Sequence, residues 1–142
     1  MNKISIEDQL EKDEIIQTTI GYSMYPMLIN RKTLVKIKKV DYKLDKYDLP
    51  LYKRKDQYVI HRIIDVRENS YIIRGDNTYV NEIVPFNDVI GIVDAFYRKG
   101  KWYSIENKNY KRYIYLWSKT YCIRKILVNI KRKISSWKRR LH

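Results

Sequence analysis

The stretch Tyr58-Val59-Ile60-His61-Arg62-Ile63-Ile64-Asp65-Val66 carries the strongest extended pattern in the chain. Its period of two predicts a strand, with Val59, His61 and Ile63 on one face and Ile60, Arg62 and Ile64 on the other. Residues 34–40 repeat the pattern, setting Val35 and Ile37 against Lys36 and Lys38 as a half-exposed strand does. Residues 15–20 are largely β-branched and read as a strand ended by Gly21. Tyr22 to Leu28 reads as a loop fixed by Pro26. Residues 49–53 read as a short strand, with Pro50 placing it at an edge or at a strand start. Residues 71–74 run into the turn sequence Gly75-Asp76-Asn77. Residues 89–97 and 102–105 flank Arg98-Lys99-Gly100-Lys101 and read as a hairpin. Residues 5–14 read as a short helix, with Ser5 placed to cap it and acidic residues suited to its dipole. Many short strands and few helices imply a compact, mainly β, antiparallel domain over residues 1–107.

Beyond Asn109 the period changes. Ile123, Leu127, Ile130, Ile134, Trp137 and Leu141 are spaced as one stripe of a helix. This gives a second segment, 108–142, read as a basic amphipathic helical tail. It holds 12 Lys and Arg and no Asp or Glu, whereas the remaining residues hold 18 basic and 16 acidic side chains. The net charge of +14 therefore belongs to the tail. An anionic membrane surface or a partner protein is the expected ligand of that tail. Packing on the β domain is the plainer reading, and nucleic acid ranks last.

The chain has 142 residues, enough to bury a core as one domain. One cysteine, Cys122, excludes an internal disulfide. It reads as a small hydrophobe before the stripe. Two widely separated histidines and that cysteine offer no zinc spacing, and only 4 glycines leave no phosphate-cradling loop. No cofactor is expected. No apolar run is long enough to span a bilayer, and Glu7, Asp8, Glu11, Asp13 and Glu14 are unlike a secretion signal. A cytoplasmic chain is expected, with the inner face of the membrane as a peripheral location.

Of the two histidines, His142 is terminal, which leaves His61 as the candidate base. A serine hydroxyl needs such a base to become a nucleophile. Four segments then line up with a known pattern. Gly21-Tyr22-Ser23-Met24-Tyr25-Pro26-Met27-Leu28 resembles the G-x-S-M-x-P-x-L segment of type I signal peptidases. Residues 58–64 resemble their V-H-R-I strand. Arg74 to Glu82 resembles their G-D-N box, and Val89-Ile90-Gly91-Ile92-Val93 their closing strand. The wider superfamily includes self-cleaving repressors that use lysine as base. His61 sets this chain nearer the serine–histidine branch, which resembles archaeal and endoplasmic-reticulum signal peptidases.

The resemblance implies a serine endopeptidase acting on a precursor or leader-containing peptide or protein, with Ser23 as nucleophile and His61 as general base. Either Glu82 or Asp76 would orient His61. Small residues are implied just before the cut. Two departures stand out: Tyr47-Asp48 where the family has Gly-Asp, and Asn81 where an acid is common. The housekeeping enzyme's membrane anchor has no counterpart, which points to maturation of a precursor inside the cell. The alternative is a catalytically inactive peptidase fold that acts as a binding or adaptor protein through its tail.

Overall fold

A computed structural model describes residues 5–11 and 14–140. The chain divides after Ile105 into two units. The first is built from antiparallel strands. Helix α1 (Ile6–Leu10) opens it, closed by a capping box in which the Asp8 N–H donates to Ser5 Oγ at 3.0 Å and the Ser5 N–H donates to Asp8 Oδ2 at 3.4 Å. Strands β1 (Ile15–Thr18), β2 (Leu34–Lys39), β3 (Pro50–Arg54) and β4 (Gln57–Ile60) follow. Then come β5 (Arg62–Val66), β6 (Ser70–Arg74), β7 (Glu82–Pro85), a 3₁₀ turn at Phe86–Asp88, β8 (Val89–Arg98) and β9 (Lys101–Ser104). One sheet has the order β1-β2-β8-β3-β4, with β9 on β8; the other is β5-β6-β7. Every pairing is antiparallel.

The two sheets share a core. Tyr52 and Ile92 from the first meet Ile63, Tyr71, Ile73 and Val84 from the second, with Leu44 from the connection. The buried Tyr71 hydroxyl is satisfied by accepting the Leu44 N–H at 2.8 Å. In β2, Val35 and Ile37 are buried while Lys38 and Lys39 face solvent, so the alternation read from the sequence is the alternation of a one-sided strand. The β8–β9 hairpin turns at Lys99 and Gly100, both with positive φ, which suits the right-handed twist of the flanking strands.

The structure corrects three sequence expectations. Residues 58–66 are not one strand. The run breaks at His61, so β4 belongs to the first sheet and β5 to the second, and β5 carries a bulge between Ile63 and Asp65. His61, Arg62 and Ile63 are all buried, so consecutive side chains do not divide between an inner and an outer face here. Pro50 starts its strand, one of the two positions read for it, and β3 is interior, lying between β8 and β4. Strand β7 had no counterpart in the sequence reading, because Pro85 ends it after four residues. The expected helix over 5–14 stops at Leu10; Asp13 lies outside the described residues.

The second unit contains α2 (Lys108–Lys119) and α3 (Tyr121–Arg140), separated at Thr120. Asn107 caps α2, its side chain accepting the Asn109 and Tyr110 N–H groups. Among the described residues no helix is long and apolar enough to cross a membrane.

Candidate active site

Ser23 lies in the connection between β1 and β2. The base of that connection is closed by backbone bonds: the Thr19 N–H donates to the Thr33 carbonyl at 3.0 Å, and the Arg31 N–H to the Thr19 carbonyl at 2.7 Å. Gly21 takes φ +100° and donates its N–H to Asn30 Oδ1 at 2.9 Å. Met24, Met27 and Leu28 are buried and pin the segment from below, so Ser23 sits on an anchored loop. The Tyr25–Pro26 peptide within it is cis.

The turn 75–77 grips this loop from the other side. The Asn77 N–H donates to the Ser23 carbonyl at 2.7 Å, and Asn77 Nδ2 donates to the Tyr22 carbonyl at 3.1 Å. Gly75 is needed for the approach. A Cβ built there would stand 2.6 Å from the Ser23 carbonyl oxygen and 3.1 Å from Ser23 Cβ. Gly75→Ala is therefore expected to displace the Ser23 loop and, if Ser23 is a nucleophile, to lower turnover about 10²-fold, in keeping with the cost of a 1 Å misplacement. Steady-state kinetics on the purified variant, with circular dichroism to check the fold, measures this. Wild-type turnover in the alanine variant would show that the close approach is dispensable.

His61 occupies the break between β4 and β5 and is buried. Its Nε2 lies 3.0 Å from Ser23 Oγ. Its Nδ1 lies 3.0 Å from Glu82 Oε1, at the start of β7. The tautomer that joins these contacts has the proton on Nδ1, donated to Glu82, and leaves Nε2 to accept from the Ser23 hydroxyl. Ser23, His61 and Glu82 are thus brought into one hydrogen-bonded line.

Asp76 goes elsewhere. Its carboxylate takes a bidentate pair from Arg62, Nε and Nη2 each at 2.7 Å, and both side chains are almost fully buried. Arg62 also donates to the Tyr47 carbonyl at 3.0 Å and reaches Met27 Sδ. The choice left open between Glu82 and Asp76 therefore falls, in geometry, to Glu82.

Two neighbours of Glu82 escaped sequence reasoning. The Tyr52 hydroxyl donates to Glu82 Oε2 at 3.1 Å and stands 3.1 Å from His61 Nδ1. Arg54 Nη1 reaches both Glu82 oxygens at 3.1–3.2 Å. Both residues come from β3. The signal that would have placed them was the short connection Lys55-Asp56 between two strand-like runs, which makes β3 and β4 a hairpin. Burial and the Glu82 charge push the Tyr52 hydroxyl far above its ordinary range, so it remains a donor. Burial also lowers the His61 pKa below its ordinary 6.5, outweighing the opposing pull of the Glu82 carboxylate. His61 is therefore held neutral near pH 7, the form a general base requires.

The three residues line a cleft of about 730 Å³. Its walls include Gln17 to Gly21, at and beyond the end of β1, and Gln57 to Ile60 of β4. These are the two edge strands of the first sheet, so the sheet curls until both edges border one cleft. Met24, Leu28, Val35, Ile37 and Leu51 supply an apolar lining. No protein-family model matches the chain, and no curated protein matches it.

Proposed function

We propose that this chain is a serine endopeptidase of the signal-peptidase type, cleaving a precursor or leader-containing peptide or protein. The observation that carries the reading is the Ser23 Oγ–His61 Nε2–Nδ1–Glu82 line, in a cleft bordered by two open strand edges. A serine beside a neutral, carboxylate-oriented imidazole is an activated nucleophile.

In the proposed reaction Ser23 Oγ forms a bond to the scissile carbonyl carbon as its proton passes to His61 Nε2. Glu82 stabilises the imidazolium, and the Ser23 N–H helps hold the oxyanion. His61 then gives that proton to the leaving amine as the C–N bond breaks, leaving an acyl group on Ser23. A water attacks the ester, its proton goes to His61 and then to Ser23 Oγ, and the acid product departs. The substrate backbone would enter as an added strand between the edges of β1 and β4, which supply main-chain groups for an extended peptide.

Tyr47 supports the same reading. It holds φ +80°, a conformation glycine adopts freely, at the position where the resembled family carries glycine.

The test is mass spectrometry of a synthetic peptide library incubated with wild type and with Ser23→Ala. Cleavage after small residues by wild type is expected, with a loss of about 10⁶-fold in kcat in the variant. Equal cleavage by both proteins, or none by either, would sink the proposal.

A further inference from the structure

Helix α3 presents two features that rarely serve one partner. Ile123, Ile126, Leu127, Ile130, Ile134 and Trp137 occupy an arc of roughly 100° at helical spacing. All six are 47–66% exposed, so the arc is bare. Lys131 and Lys138 border it on one side and Lys133 and Arg140 on the other, all exposed. No acidic residue occurs anywhere from Lys108 onward.

Three partners compete, and charge together with apolarity decides among them. A second copy of the helix would cover the arc, but it would bring basic flanks against basic flanks with no acid to pair them. Nucleic acid would satisfy the charges, but phosphate contacts leave the apolar arc in water. An anionic bilayer satisfies both: the arc enters the acyl boundary while long basic side chains reach the headgroups.

The geometry points to α3 as a membrane-surface helix, lying in the plane of an anionic bilayer with Ile130, Ile134 and Trp137 inserted and Lys131, Lys133 and Lys138 at the phosphates. This inference does not depend on the peptidase reading. Trp137, the largest exposed apolar side chain on the helix, is suited to the interface.

The experiment is flotation of the full chain with vesicles of phosphatidylcholine alone or mixed with phosphatidylglycerol. In parallel, Trp137 emission is read in a Trp102→Phe/Trp117→Phe background. Binding to the mixed vesicles with a blue shift of Trp137 is expected, weakening as salt rises. Each of Lys131→Gln, Lys133→Gln and Lys138→Gln should weaken partitioning about fivefold. Ile130→Ser and Ile134→Ser, both at exposed positions, should each weaken it about tenfold. Equal binding to neutral vesicles would overturn the proposal, as would binding unchanged by the two serine substitutions. A dimer that shifts Trp137 emission without lipid, or duplex DNA that binds where vesicles do not, would also overturn it.

Discussion

Glu82→Gln is expected to lower kcat roughly 10³–10⁴-fold with little change in thermal stability. The magnitude follows from how Glu82 is used. One oxygen accepts from His61 Nδ1 and the other from the Tyr52 hydroxyl, while Arg54 reaches both. All of these partners donate. An amide must point its NH₂ at one side of that set, so a donor meets a donor in either orientation. The relief is to turn the imidazole to its other tautomer, which puts a proton on Nε2 and leaves Ser23 without an acceptor. The pH profile supplies an independent reading. Glu82 is the main influence raising the His61 pKa against burial. Its neutralisation therefore lowers that pKa further, and the acidic limb of kcat/KM should move to lower pH even as the rate collapses. A limb that stays fixed or moves upward would show that Glu82 does not face the His61 imidazole in solution. The same group carries a stability consequence. A buried histidine with a lowered pKa binds its proton more readily when unfolded, so its contribution is present above pH 6.5 and is lost as the pH falls through the lowered value.

The residues that were legible and those that were not differ in the range of the forces that place them. Val35 and Ile37 could be read because they are buried on one face of β2 between the less buried Leu34, Lys36 and Lys38, and local alternation records that. Ser5 could be read because a capping box is complete within four residues. The break at His61 could not. Hydrophobic alternation continues from Val59 to Ile63 although the chain changes sheets between them, since both sheets bury into the same core. Arg62 was placed on the face opposite His61 because alternation alone assigns faces. Its burial depends on Asp76, which no local pattern ties to it. That pairing also kept Glu82 and Asp76 indistinguishable in sequence: both acids lie in one short segment, and only a partner from another strand sorts them. Tyr52 and Arg54 were invisible for a related reason, because strand alternation says which residues share a face but not which site that face meets.

Asp76→Asn is expected to be the most destabilising single polar substitution in the β unit, costing about 3–5 kcal/mol and lowering Tm by roughly 10–20 °C. Arg62 and Asp76 have side chains only 2% and 3% exposed, and their two bonds of 2.7 Å form the planar fork that best offsets desolvation. Removing the negative charge takes the bidentate carboxylate from a buried guanidinium. Its bonds to the Tyr47 carbonyl and to Met27 Sδ are to uncharged groups and do not replace the bidentate carboxylate. A loss of this size is a large part of the 5–15 kcal/mol that holds an ordinary domain folded. The effect on turnover should be different in kind from that of Glu82→Gln. Below its melting range the Asp76→Asn protein should retain kcat within about tenfold of wild type, because Asp76 does not contact the imidazole line. Arg62→Met alone should be comparably costly, since it strands the carboxylate. The Arg62→Met/Asp76→Asn pair should recover about 1–3 kcal/mol relative to the sum of the two single losses. Urea unfolding of the four proteins measures that coupling. Strict additivity would show that the two side chains act independently, and that the charge pair is not what holds the turn 75–77, and through it the Ser23 loop, in place.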